Sequence, residues 1–106
     1  MMRAMKWMGL CAGMLLLASP LVHAADGAAI AKANNCMTCH GVDTRKMMGP
    51  SFKEIANRYK GKNVEALMVE RIKKGGSGEW GAMPMPAQPQ LSDADARAIV
   101  KWMMAR

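Results

Sequence analysis

Two cysteines and a histidine stand close together at Cys36-Met37-Thr38-Cys39-His40. Two thiols three residues apart on a helical turn project to one side of the chain, and an imidazole follows the second thiol directly. Such a pattern can bond both vinyl groups of one haem through sulfur while the imidazole reaches the iron. Because C-x-x-C-H is typical of c-type haem attachment, the spacing predicts one haem c held covalently by Cys36 and Cys39.

Three other chemistries also use a close pair of cysteines: a thioredoxin-like redox pair, half of a zinc site and a structural disulfide. A redox pair typically lies near a βαβ pattern, and no strand pattern is found near Cys36. A zinc site needs a fourth ligand and usually a second Cys/His pair, which the chain after residue 24 does not offer. Haem attachment is therefore favoured over all three alternatives.

The N-terminal segment has the pattern of a secretory signal peptide. Arg3 and Lys6 form a positively charged start, a short apolar run follows, and Val22-His23-Ala24 offers small residues for cleavage. The apolar run is shorter than the roughly 20 residues that a spanning helix needs. We therefore expect cleavage after Ala24 and export to the periplasm of a Gram-negative bacterium, without stable membrane insertion.

Residues 25–106 are long enough for one small domain only. They contain 13 Lys and Arg against 8 Asp and Glu, a formal charge of +5 before haem propionates are counted. A hydrophobic core of this size usually gives only marginal stability without a covalent or cofactor cross-link. The two motif cysteines are the only ones in this range, so no cysteine is left for a further disulfide. With residues 1–24 as signal peptide, the sequence thus predicts one haem domain at 25–106, stabilised by the haem itself.

Four helical stretches and no convincing strand are found, which predicts an all-α chain. Each stretch has a start signal and most have a stop signal. The first predicted helix begins at Asp26 and runs into the cysteine motif. The second begins at Ser51 and stops at Gly61, and the third begins at Asn63 and stops at Gly75-Gly76. The fourth begins at Ser92, with a capping-box-like Asp95.

The segment 80–90, between the third and fourth predicted helices, carries three prolines and two methionines. Proline forbids helix and restricts φ, so this loop loses little entropy when it becomes ordered. Such rigidity suits a ligand that must be held in a fixed place. Met83 and Met85 each precede a proline, and local sequence alone does not decide between them as a second iron ligand.

Taken together, these motifs resemble those of the class I cytochromes c, in particular the short bacterial monohaem cytochromes of the c-551 (c8) type. The resemblance covers residues 26–106. It implies a small all-α fold with about four helices wrapped around one covalently bound haem. The motifs that carry it are C-M-T-C-H at 36–40, G-P at 49–50, R-I-K at 71–73, W-G-x-x-P-M-P at 80–86 and K-W at 101–102.

The resemblance also implies roles for individual residues. His40 and Met85 would be the axial ligands of the iron. The carbonyl of Pro50 would accept a hydrogen bond from the other ring nitrogen of His40, which orients the imidazole and tunes the metal. Arg71 and Trp80 would donate hydrogen bonds to a haem propionate.

An iron with two strong axial ligands has no vacant position for substrate, so the resemblance implies an electron carrier and not an enzyme. A methionine ligand raises the potential relative to two histidines. The expected function is one-electron transfer in the periplasm between a quinol-oxidising respiratory complex and a terminal reductase or oxidase. Two alternatives stay open: a haem subunit dedicated to one redox enzyme, and a small-ligand-binding haem protein in which Met85 leaves the iron.

The positive charge of the domain predicts redox partners with acidic docking faces and salt-sensitive association. Lys73 and Lys74 are the candidate steering charges, because they follow Arg71 closely in sequence. We expect a monomer that does not bind nucleic acid.

Overall fold

The computed structural model describes residues 9, 13, 26–44 and 48–106, so nearly all of the expected signal peptide at 1–24 lies outside the described residues. The described part contains five α-helices and no strand, with one isolated bridge between Gly76 and Met85. The predicted all-α class is confirmed. The helices are α1 Asp26–Ala33, α2 Cys36–Cys39, α3 Phe52–Tyr59, α4 Glu65–Lys74 and α5 Asp93–Met104.

The prediction that the first helix continues into the cysteine motif is wrong, because two asparagines interrupt it. Asn35 adopts a left-handed backbone conformation with φ 60°, which asparagine tolerates better than most residues. The Ile30 carbonyl accepts both from the Asn34 main-chain N–H at 3.1 Å and from the Asn34 side-chain amide at 2.8 Å. The motif therefore forms a separate one-turn helix, α2. Asp26 lies within the first turn of α1 and not ahead of it.

Ser51 begins α3 as predicted, through a complete capping box. Its Oγ accepts from the Glu54 N–H at 3.0 Å, and the Glu54 carboxylate accepts from the Ser51 N–H at 3.0 Å. The Phe52 N–H donates to the Gly41 carbonyl at 2.8 Å. This bond fastens the start of α3 to the residue that follows the cysteine-histidine motif.

The ends of α4 and the start of α5 follow the sequence signals closely. α4 begins at Glu65, two residues after the predicted Asn63. It ends at Lys74, and the next residue, Gly75, has a φ of 70°, which favours glycine. Ser92 caps α5 by accepting from the Asp95 N–H at 3.1 Å.

The helix α5 is the centre of the packing, since it contacts α1, α3 and α4. A Cβ built on Gly27 of α1 would lie 2.6 Å from Trp102 Cβ, so glycine lets the two helices approach closely. Phe52 of α3 meets Trp102 edge-on, with ring centroids 5.0 Å apart. The largest buried side chains of the core are Phe52, Ile55, Met68, Ile72, Leu91, Ile99, Val100 and Met103. No helix in the described ranges is long and apolar enough to cross a membrane.

Candidate functional site

The helical core opens into an apolar cavity of about 240 Å³. Elements that are far apart in sequence supply its lining, including α2, the loop 48–50 and the loop 75–86. The core side chains that line it are Phe52, Ile55, Met68, Ile72, Ile99 and Met103. The cavity therefore brings the cysteine-histidine motif and the methionine-proline loop to one place.

Both motif cysteines line this cavity as half-buried free thiols on α2. Burial raises the pKa of the Cys36 thiol, which favours its protonated form. The sulfur of Cys39 lies 3.6 Å from that of Met48. Within the described ranges, no three His, Cys, Asp or Glu side chains are grouped as a metal site would require.

The His40 ring is oriented by three neighbours. Its Nδ1 lies 2.7 Å from the Pro50 carbonyl, which is the contact predicted for this pair. Because a carbonyl only accepts, Nδ1 carries the hydrogen and Nε2 keeps a lone pair that can bind a metal. The ring stacks on Phe52 with centroids 5.3 Å apart, and a Cβ on Gly49 would lie 3.0 Å from its Cε1.

The backbone of Met85 is fastened to the segment that follows α4. The Met85 N–H donates to the Gly76 carbonyl at 2.8 Å, and the Gly76 N–H donates to the Met85 carbonyl at 3.1 Å. A Cβ on Gly75 would lie 2.7 Å from the Ala87 nitrogen, so this close approach needs glycine. The Gln88 N–H continues the attachment by donating to the last carbonyls of α4.

Met83 and Met85 both line the cavity, but their surroundings differ. Met85 is partly buried and packs against the hydrophobic core. Met83 is 59% exposed. The structure thus separates two methionines that local sequence left equivalent.

Arg71 and Trp80 also line the cavity, where the sequence predicted a pair of propionate donors. Arg71 Nη2 donates to Glu79 Oε1 at 2.6 Å, and the Arg58 guanidinium lies 4.4 Å from the Trp80 ring centroid. Sequence reasoning missed Arg58 and Glu79. For Glu79 a signal was available, because it is the only charged residue between Lys74 and Asp93.

The sequence model of the cytochrome c family matches residues 24–106. Cytochrome c-552 of Nitrosomonas europaea is 42% identical over 99 residues, which cover 92% of this chain and 93% of that protein. Cytochrome c-551 of Azotobacter vinelandii is 39% identical over 79 residues, which cover 74% of this chain and 94% of that protein.

A solved structure is also similar. The crystal structure of the wild-type Nitrosomonas europaea cytochrome c552 has a TM-score of 0.68 and 43% identity, and the match covers 74% of this chain and 96% of that one. The chain belongs to the cytochrome c family. It is a haem-based electron carrier of the class I fold with one covalently bound haem c, as its motifs predicted.

Family membership confirms the predicted cofactor, one covalently bound haem c. This favours haem attachment over the dithiol, zinc and disulfide alternatives for the cysteine pair. The cavity fits such a group, since its lining is largely apolar and includes two free thiols and an imidazole with one available ring nitrogen.

Proposed function

We propose that this chain is a periplasmic electron carrier whose haem iron is bound by His40 and Met85. Cys36 and Cys39 would form the thioether bonds. The observation that carries the proposal is the arrangement of the two axial groups around one apolar cavity. His40 has Nδ1 occupied by Pro50 and Nε2 available, and the backbone of Met85 is fixed by its paired bonds to Gly76.

Rigid ligands suit outer-sphere electron transfer, because little has to rearrange when one electron passes. His40 is held by Pro50, by the Phe52 ring and by its tight contact with Gly49. With His40 and Met85 both bound, the iron would have no open site for substrate, so no bond to a substrate would be made or broken. The haem, when bound, supplies the redox chemistry; the protein supplies the ligands, the apolar surroundings and the charge near the edge.

We assign Arg71 and Trp80 to a haem propionate, because both line the cavity and both carry N–H donors. The second terminal nitrogen of Arg71, Nη1, is left for that contact while Nη2 binds Glu79. These are the propionate contacts predicted from the sequence, and Glu79 is added as a hydrogen-bond partner of Arg71.

The signal pattern of residues 1–24 supports export, and covalent haem attachment fits an exported protein. The donor would be a quinol-oxidising complex and the acceptor a terminal reductase or oxidase, each meeting the monomeric carrier transiently. The excess of basic residues in 25–106 supports partners with acidic docking faces.

The ligand set is tested by comparing Met85→Ala with Met83→Ala. In the oxidised protein, Met85→Ala should abolish the weak far-red sulfur-to-iron absorption band. It should also lower the reduction potential by on the order of 0.1 V, within the roughly 0.8 V range that axial ligands control. Met83→Ala should leave both nearly unchanged, because Met83 is mostly exposed.

Absorption spectra and redox titrations of the two purified haem proteins decide the matter. If Met83→Ala alone lost the band, the ligand assignment would be reversed. If the wild type showed no such band, the iron would have an open or different sixth position, and a closed-site electron carrier would be the wrong description.

A further inference from the structure

Glu79 is the meeting point of several polar contacts at the rim of the haem cavity. It lines the cavity, and its side chain is 37% exposed. Its Oε1 accepts from Arg71 Nη2 at 2.6 Å and its Oε2 from the Tyr59 hydroxyl at 2.9 Å. Its main-chain carbonyl accepts from Arg58 Nη1 at 2.9 Å.

These donors come from two helices. Arg58 and Tyr59 lie in the last turn of α3, and Arg71 lies in the last turn of α4. A tyrosine hydroxyl is already protonated at neutral pH, and partial burial, followed by the hydrogen bond to Glu79, raises the pKa of Tyr59 further. The Glu79 carboxylate is thus held by one guanidinium group, that of Arg71, and one phenol, that of Tyr59, while Arg58 binds the main-chain carbonyl of the same residue.

A fixed charge beside a haem changes the balance between its two oxidation states. Oxidation adds one positive charge at the iron, so a nearby carboxylate stabilises the oxidised form and lowers the potential. A guanidinium group has the opposite effect. Loss of the Glu79 charge would therefore raise the potential, because the opposing effect of Arg71 is then no longer offset.

We propose that Glu79 sets the reduction potential of this cytochrome, lowering it through a carboxylate that Arg71 and Tyr59 hold at the rim of the haem cavity. The proposal rests on the proposed function, because it needs the haem in this cavity with Arg71 at its edge. It goes further by assigning a role to a residue outside every motif of the sequence analysis.

The test compares Glu79→Gln with Glu70→Gln in the haem-loaded protein. Both changes remove one negative charge that is paired with a cation of α4, since Glu70 accepts from Lys74 at 3.1 Å. Only Glu79 lines the cavity. Spectroelectrochemical titration at neutral pH and low ionic strength should show a clear upward shift of the midpoint potential for Glu79→Gln and a much smaller one for Glu70→Gln. The shift should shrink with added salt, because Glu79 is partly exposed.

Tyr59→Phe separates charge from loop geometry. It removes the donor to Glu79 Oε2 and keeps the carboxylate, so the potential should stay close to that of the wild type. A shift as large as that of Glu79→Gln would mean that the contact matters through loop position, and the proposal would be overturned. It would also be overturned if Glu79→Gln shifted the potential no more than Glu70→Gln, or shifted it downward.

Failure here is distinguishable from failure of the proposed function. The far-red band and a reversible one-electron couple in the wild type report the axial ligands and do not depend on Glu79. If both are present while Glu79→Gln leaves the potential unchanged, only the role of Glu79 is wrong.

Discussion

Gly49 lies against the imidazole of His40, where a Cβ would come within 3.0 Å of Cε1 and 3.1 Å of Nδ1. We expect Gly49→Ala to push the ring and lengthen its bond to Pro50. Overpacking of this kind costs about 1–3 kcal/mol, and the potential should shift because the ligand moves. Thermal unfolding and redox titration of the haem-loaded protein measure both effects.

Pro50→Ala is the matched control for this change, because the acceptor is a main-chain carbonyl that alanine retains. It should shift the potential less than Gly49→Ala does. Equal shifts in the two variants would show that the loop as a whole, and not the space around the ring, positions His40.

At the scale of single residues, the sequence predicted what depends on short spacing. Cys36, Cys39 and His40 were predicted from a motif of five residues, and Pro50 was predicted through a resemblance. Glu79 was missed because its partners Tyr59 and Arg71 lie 20 and 8 residues away on two helices. Only the packing of those helices brings the three groups together.

At the scale of elements, the close approach of α1 and α5 depends on Gly27. Gly27→Ala would gain about 1 kcal/mol in helix propensity, but its Cβ would meet the backbone of Ala98 and lie 2.6 Å from Trp102 Cβ. We expect the clash to dominate and the free energy of unfolding to fall by about 1–3 kcal/mol.

Chemical denaturation of the haem-loaded protein measures this loss. Ala29→Ser on the exposed face of α1 is the control and should change stability by about 0.5 kcal/mol or less. If the Gly27→Ala protein were as stable as the wild type, α1 and α5 would be able to shift apart at little cost in the free energy of unfolding.

Helix identity was predictable because caps and apolar spacing are local signals. The residue types predicted the helix ends correctly: α3 and α5 begin after Ser51 and Ser92, and α4 ends before Gly75. The break at Asn34-Asn35 was missed, since asparagine is only mildly unfavourable in a helix and its left-handed conformation is one option among several.

At the scale of the whole molecule, both cations proposed for docking have partners within the chain. Lys73 pairs with Asp93, and Lys74 pairs with Glu70 at 3.1 Å. Their charges are locally balanced, so their steering role remains a prediction that charge reversal would test poorly. Lys60 is a better probe, because it is exposed and follows Tyr59, which binds the cavity-lining Glu79.

We expect Lys60→Glu to slow electron exchange with an acidic redox partner several-fold at low ionic strength. The difference should disappear at high salt, because steering acts over a Debye length of about 8 Å at physiological ionic strength. Stopped-flow rates over a salt series measure it.

Lys101→Glu is the control with the same charge change. Lys101 is exposed on α5, whereas Ile99 and Met103, two residues before and after it, line the cavity. At 100° per residue, this places Lys101 on the opposite side of the helix. Equal slowing by both variants would point to net charge alone, and a rate independent of salt would point to apolar docking.

The contact between Gly27 and α5 also bears on the order in which the parts of the domain can fold. Synthesis proceeds from the N-terminus, so α1 and the thiols of Cys36 and Cys39 are made about 60 residues before Ala98 and Trp102, against which Gly27 packs. Until those last residues arrive, the helix that covers the core is missing and the domain cannot close. We therefore expect the thiols of Cys36 and Cys39 to lie in an open chain until α5 is present to pack against α1.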